Sequence, residues 1–222
     1  MTVCEASTLT GKERFNVAGL LLAAGMSRRS GDLNKLLYLH AGKPLVQHVA
    51  QTLTESRINN VLVVLGHDAK AVETAIEQYP VTVSVNRDYA QGLASSLVHG
   101  VSLLFEADAV VVCLADMPHV SSNVINQLVS AMTDNADKSI FIPTYQARRG
   151  NPVLITKARF DDILNLSGDE GARVLAKQQP DEVLEVETGN QSVLLDYDTI
   201  DDLHKLKGLQ SDMALLQMIP MP

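Results

Sequence analysis

Residues 17–35, VAGLLLAAGMSRRSGDLNK, place an apolar run, three small residues and three cations in one short stretch. Val17, Leu20, Leu21 and Leu22 have the composition of a parallel strand covered on both faces. Ala23, Ala24 and Gly25 then withdraw side-chain bulk, so backbone N–H groups can lie close to a bound group. Ser27, Arg28, Arg29, Gly31 and Lys35 follow within reach of the same point. Exposed amides backed by Arg and Lys suit a polyphosphate. A tight strand-to-helix turn with surface arginines would use the same residues. The pattern, LAAG-x-S-x-R-x-G-x₃-K, is neither GxGxxG nor GxxxxGK[ST], so neither a dinucleotide fingerprint nor a Walker loop is indicated.

Three further groups of residues could act at such a site. Asp116 closes the apolar stretch Ala109–Leu114, and ligands of open α/β sheets collect at the carboxyl ends of strands. It could cap the turn before Pro118 or ligate Mg²⁺, which needs only one or two carboxylates beside phosphate oxygens and water. Asp196 and Asp198, in DYDT, follow a second apolar run; either could complete a metal site, and Asp198 or Thr199 could equally cap a helix. In the loop NRDYAQGLASS, 86–96, Gly92 and the serine pair could hydrogen-bond a nucleobase edge, although a helix cap would explain one serine. His67 and His119 also lie just past strand ends; turn histidines are more often structural, and neither is given a role.

The elements that must position these residues alternate between strand-like and helix-like patterns, the signature of an α/β fold with a mostly parallel sheet. Strands are predicted at Val61–Leu65, Val81–Val85, Ala109–Leu114, Ile140–Tyr145, Pro152–Ile155, Val183–Val186 and Val193–Leu195. Gly42-Lys43-Pro44 introduces a helix with Leu45, Val46, Val49 and Leu53 on one stripe. Asp68 is the expected N-cap of a helix carrying Val72, Ala75 and Ile76, and Ser95-Ser96 is expected to lead into the helix of Leu97 and Val101. Ser121 or Ser122 should cap the helix of Val124, Ile125, Leu128, Val129 and Met132. Short helices are expected near Phe160–Leu164 and Gly171–Lys177, and a last one from Thr199.

At 222 residues the chain can bury one substantial core. A single domain is expected over 17–208, after a frayed leader, 1–16, and before a C-terminal tail, 209–222. The net charge of −8 disfavours a nucleic-acid partner, which would usually meet a basic face. Cys4 and Cys113 are too few and too distant for a disulfide framework or a zinc site, and Cys113 reads as a buried small hydrophobe. No apolar stretch reaches the roughly 18 residues that span a bilayer, and the N-terminus lacks a secretory apolar segment. No membrane association and a cytoplasmic location are expected.

The segment LAAGMSRRSG…K with LADMP resembles the MobA-like NTP-transferase family. GHD, NRDYAQGLASSLVHG, CLADMP, RRGNPVLI, GDEGAR and LLDYDTIDDL then follow in the order seen in molybdenum cofactor cytidylyltransferases, so the resemblance covers 17–206. It implies a three-layer α/β/α, GT-A-like nucleotidyltransferase fold with a mostly parallel, twisted sheet. By the same resemblance Leu22, Ala23, Ala24, Gly25 and Ser27 belong to the nucleotide-binding loop, and Arg29 and Lys35 are the catalytic cations on the triphosphate. Gly92 and Ser96 would lie by the base. Asp116 would hold Mg²⁺, with Asp196 or Asp198 as a second contact. Arg149, Gly150, Asn151 and Pro152, with Gly168, Asp169 and Gly171, match segments expected near the acceptor. Ala24 stands where the guanylyl branch has a second glycine, which tilts the chain toward CTP. Asn151 stands where relatives often carry His.

The activity so implied is transfer of CMP from CTP to the terminal phosphate of molybdopterin, with Mg²⁺ as cofactor and a recipient molybdoenzyme downstream. Use of GTP or another phosphorylated acceptor is the alternative of the same class. A non-catalytic chaperone holding the molybdenum cofactor is the alternative of a different kind. A dehydrogenase is disfavoured, since no GxGxxG follows the first strand.

Overall fold

The computed structural model describes residues 15–26 and 34–197. Its sheet has the strand order β10-β7-β9-β6-β1-β4-β5, with β8 paired to β7. In chain order these are β1 (Val17–Ala23), β4 (Asn60–Leu65), β5 (Thr82–Val85), β6 (Ala109–Leu114), β7 (Ile140–Tyr145), β8 (Arg148–Arg149), β9 (Val153–Thr156) and β10 (Val183–Glu187). A small separate ladder joins β2 (Leu39–His40) to β3 (Lys43–Pro44). The helices are α1 (Leu45–Thr54), α2 (Ala69–Ile76), α3 (Leu93–Leu103), α4 (Ser122–Asp134), α5 (Phe160–Leu164) and α6 (Arg173–Gln178).

β1 sits centrally, parallel to both β4 and β6, with Leu20 opposite Leu62 on one side and Val112 on the other. All seven of its residues are buried, which explains why it reads as an apolar run rather than an alternation. Its side chains divide between two cores. Val17, Leu21 and Ala23 meet α1, α2 and α4 through Val49, Leu53, Ile76, Ile125 and Leu128. Ala18, Leu20 and Leu22 meet α3, α5 and α6 through Leu97, Val101, Phe160, Ile163 and Leu175. The three-layer α/β/α arrangement follows. On the second face α3 approaches closely because Gly100 has no side chain; a Cβ there would stand 2.4 Å from Leu20 Cδ1.

The sheet is mixed. β9 runs antiparallel to both β6 and β7, so β7 and β10, which pair in parallel, regain the direction of β6. The carboxyl ends of β1, β4 and β6 therefore share one edge of the sheet, which is where the site forms.

Several local expectations change. Val193–Leu195 is no strand: residues Gln191–Leu194 form a 3-10 turn, capped by the Asn190 side chain accepting from the Ser192 amide at 2.9 Å. Three apolar residues without a pairing partner lose to that local cap. Asp68 does not cap α2 with its carboxylate; its backbone is left-handed (φ 53°), its carbonyl accepts from Ala71 and Val72, and Oδ2 lies 3.3 Å from His67 Nε2. Ser121 occupies the N-cap position of α4 without a side-chain hydrogen bond to the helix. α3 begins at Leu93, immediately after Gly92 (φ 114°), so Ser95 and Ser96 lie within its first turn rather than ahead of it. Asn16, placed in the expected leader, donates its amide to Asp108 Oδ2 at 2.7 Å and accepts from the Asp108 amide. The helix expected from Thr199 falls outside the described residues.

Candidate active site

The chemistry-bearing residues meet in a cleft of about 500 Å³ at the carboxyl edge of β1 and β6. Leu22, Ala24, Gly25 and Met26 line it from the first strand and loop, and Leu114, Ala115 and Asp116 from the end of β6. Lys35 and Leu36 enter from a 3-10 turn, Lys35–Leu37. Tyr89, Gly92, Leu93 and Ser96 come from the start of α3 and the loop before it, and Asp169 from the segment ahead of α6.

The charged end is built by backbone bonds between segments distant in sequence. The Ala115 amide donates to Leu22 O at 3.2 Å, tying the β6 exit to β1, and the Tyr197 amide donates to Asp116 O at 3.2 Å. Asn34 begins the turn of Lys35 by accepting the Leu36 amide at 3.1 Å. Lys35 Nζ then reaches Asp116 Oδ2 at 2.7 Å, and both side chains are largely withdrawn from solvent (13% and 17% exposed). The second oxygen, Asp116 Oδ1, is buried with no hydrogen-bond partner among the described residues. An orphaned carboxylate oxygen is costly to hold away from water, and in a native site it marks a place for an ion or ligand. It suits a divalent cation such as Mg²⁺, which takes one or two protein carboxylates and completes its shell with phosphate oxygens and water. Among the described residues no cluster of three or more His, Cys, Asp or Glu forms a metal cage. A phosphate-completed site does not need one.

The neutral end is organised by Asn86, buried behind α3. Its Oδ1 accepts the Asp88 amide at 2.9 Å, which fixes the orientation of the side-chain amide. Its Nδ2 donates to Ser95 Oγ at 3.0 Å and Ser96 Oγ at 3.1 Å. Ser95 donates onward to Asp88 O and Gly92 O, both at 2.9 Å. Tyr89 lies over Gly66, where a Cβ would meet its ring at 2.7 Å. Gly92 is pressed against Gly168: a Cβ would stand 2.2 Å from Gly168 O, which also accepts the Ala94 amide at 3.0 Å. Gly171 allows Leu93 a similarly close approach, 3.0 Å from a would-be Cβ.

The structure thus brings Leu22, Ala24, Gly25, Lys35, Gly92, Ser96, Asp116 and Asp169 to one cleft, with Gly168 and Gly171 packed against its rim. Ala23 is buried in β1 and faces the core of α1 and α2. Arg149, Gly150, Asn151 and Pro152 do not line the cleft. Arg149 pairs with Glu185 at 2.7 Å near the β8 hairpin, the Gly150 amide donates to Pro143 O, and the Asn151 amide donates to Val193 O. Pro152 lies among the apolar side chains of Cys113, Met117 and Val120. Asp196 is likewise absent from the lining; its carboxylate acts on Arg173, opposing the burial that lowers that guanidinium from its usual value. Ser27, Arg29 and Asp198 lie outside the described residues.

Asn86 and Tyr89 were not singled out by sequence. The available signal was their membership of the 86–96 loop, but which loop residues turn inward depends on contacts with β4 and β1. A third group near the charged end includes His119, to which the sequence reading gave no role. His40 lies 5.2 Å from His48 and 4.9 Å from His119, ring centre to ring centre, and His119 lies 5.6 Å from Tyr197. Burial, then the neighbouring imidazoles, holds His40 and His119 below the ordinary histidine value.

The sequence model of the MobA-like NTP transferase domain matches residues 19–183. Nicotine blue oxidoreductase of Paenarthrobacter nicotinovorans is 31% identical over 196 residues, covering 86% of this chain and 96% of that protein. Purine catabolism protein PucB of Bacillus subtilis is 31% identical over 168 residues, covering 72% of this chain and 80% of that protein. The crystal structure of Rv0371c from Mycobacterium tuberculosis superposes with a TM-score of 0.78 at 25% identity, covering 86% of this chain and 97% of that one.

Proposed function

Since the chain belongs to the MobA-like NTP transferase family, we propose that it moves CMP from CTP to the terminal phosphate of molybdopterin and releases pyrophosphate. Family membership makes it a nucleotidyltransferase; the base and the acceptor are the proposal. One observation carries it: Lys35 and Asp116, 81 residues apart in sequence, meet at 2.7 Å in a cleft floored by Ala24 and Gly25, with one Asp116 oxygen open.

In the proposed reaction an oxygen of the acceptor phosphate attacks the α-phosphorus of CTP. The bond from that phosphorus to the bridging oxygen breaks, and pyrophosphate leaves with the electron pair. A phosphate monoester is already largely ionised at pH 7, so no side chain has to remove a proton. The obstacle is the approach of one polyanion to another, and catalysis is positioning with charge neutralisation. Ala24 and Gly25 offer backbone to the nucleotide without side-chain obstruction. Lys35 would turn from Asp116 toward the triphosphate and stabilise charge on the leaving group, and the motif's Arg29 would add a bidentate fork that Lys cannot reproduce. Asp116 Oδ1 would hold Mg²⁺, which supplies neutralisation of the phosphate oxygens when bound.

The support for CTP is Ala24 in the first loop, and the support for a molybdenum-pterin is the ordered set RRGNPVLI, GDEGAR and LLDYDTIDDL. The test is pyrophosphate release with each NTP in turn, Mg²⁺ and molybdopterin. Release with CTP alone, and only with the pterin, is the expected result. Release with GTP or another phosphorylated acceptor replaces the substrate assignment, and tight cofactor binding without turnover replaces catalysis with a chaperone role. The redox activity in the name of the nicotine blue relative is not transferred to this chain, because LAAGM lacks the glycine spacing of a dinucleotide fold. Oxidation of NADH or NADPH by the protein would reverse that judgement.

A further inference from the structure

We infer that Asn86 is a positioning residue that sets the direction of the Ser96 hydroxyl, so the neutral end of the cleft presents a proton donor and selects a ligand carrying a hydrogen-bond acceptor there. The inference rests on the nucleotide reading above and deepens it: the selected group would be an acceptor atom on the base, such as a pyrimidine carbonyl or an unprotonated ring nitrogen.

An amide nitrogen can only donate, and the Asp88 backbone amide can only donate, so the contact between Asp88 N–H and Asn86 fixes oxygen on that side and nitrogen toward the serines. Each hydroxyl must then accept from Asn86. Ser95 spends its own proton on Asp88 O and Gly92 O. Ser96 has no acceptor for its proton among the described residues, although it is buried and lines the cleft. With its lone pair engaged from behind, its O–H is directed to whatever occupies the cleft. A site built to donate rejects a ligand that also donates, because two opposed hydrogens leave buried groups unpaired.

Replacing Asn86 by Asp reverses the polarity while keeping shape. Both carboxylate oxygens accept, so Asp can still take the Asp88 amide, and it draws the Ser96 proton inward. Titration calorimetry in Mg²⁺ with CTP, and separately with inorganic tripolyphosphate, reads the consequence. N86D is expected to weaken CTP binding by about tenfold, the effect of one lost hydrogen bond, and to leave tripolyphosphate binding unchanged. Ser96→Ala should match it, and the double variant should add nothing further. If N86D fails to fold, S96A alone decides: unchanged CTP affinity overturns the inference. Equal losses for CTP and tripolyphosphate also overturn it, since they would mark Asn86 as scaffold. Wild-type protein that binds tripolyphosphate but none of the four NTPs overturns the nucleotide reading and this inference together. Wild-type binding of CTP with N86D and S96A indistinguishable from it overturns this inference alone.

Discussion

The two ends of the cleft are built on opposite principles. At the neutral end the polar groups are already committed: Asn86, Ser95, Asp88 and Gly92 hold one another at 2.9–3.1 Å, and the Ser96 proton is left to give. At the charged end the partners are provisional. Lys35 pairs with Asp116 through Oδ2, yet the proposed chemistry needs Lys35 on phosphate and Asp116 on a metal. A neutral group can be fixed in advance at little cost, because its ligand only replaces water. Two opposite charges cannot both wait unpaired in a partly buried cleft, so they pair until something more highly charged separates them.

The largest effect that would break this comparison is at the charged end. Lys35→Ala or Asp116→Ala should lower turnover by on the order of a hundredfold or more, measured as pyrophosphate release, as the loss of an electrostatic donor does. A variant working near the wild-type rate would remove that residue from the mechanism. The same two residues sharpen the contrast in binding. If Lys35 occupies Asp116 until the nucleotide arrives, Lys35→Met should bind Mn²⁺ alone about tenfold more tightly, roughly 1.4 kcal/mol, while losing affinity for the nucleotide. Proton relaxation of Mn²⁺ solutions reads this directly, and unchanged Mn²⁺ affinity would show that the pair does not gate the metal.

The neutral end is predicted to fail through rigidity. Gly92→Ala places a methyl 2.2 Å from Gly168 O at a φ of 114°, so the α3 entry must shift. A cost of about 1–3 kcal/mol in stability should accompany weaker nucleotide binding. Gly100→Ala, on the same helix but against Leu20 in the core, should cost about 1–3 kcal/mol by overpacking and leave nucleotide affinity near wild type. Melting curves and calorimetry on the pair separate strain at the cleft from strain beneath it.

The smallest effect is the response to pH. His40 and His119 are held below their usual value of 6.5, so the fold favours their neutral forms. Above that value neither state carries the proton and nothing is gained or lost. As pH falls below 6.5 the unfolded chain takes up protons that the folded one resists, and stability declines until the folded values are passed as well. The melting temperature should therefore be lower at pH 5.5 than at pH 7.5. His119→Asn should flatten that dependence; an unchanged slope would free the cluster from any part in it.

How much of this was legible in the sequence divides along the same line. The charged end announced itself, because a strand, a bare loop and a lysine are local patterns, and Asp116 terminates an unmistakable apolar run. Burial of Cys113 and the helix Phe160–Leu164 were legible for the same reason. The neutral end was not. Gly92 was visible as a loop glycine, but its need to be Gly comes from Gly168, which is distant along the chain. The serines read as a cap because caps precede helices, whereas a positive-φ glycine, Gly92, takes the N-cap position three residues before Ser95. The reversal of β9 and the turn at Gln191–Leu194 escaped similarly: strand direction is set by partners, and a short apolar run has no periodicity to defend it against a local Asn cap.

The hydrogen bond from Tyr197 to Asp116 O has a consequence for how the molecule is made. Chains emerge from the ribosome amino end first, and the strand carrying this aspartate is complete some eighty residues before its latch is synthesised. Until the latch docks, a nascent chain owns the sheet and the loop but lacks the bond that steadies the aspartate's own backbone. Competence for the nucleotide should therefore come late in synthesis, well after the central strands have paired.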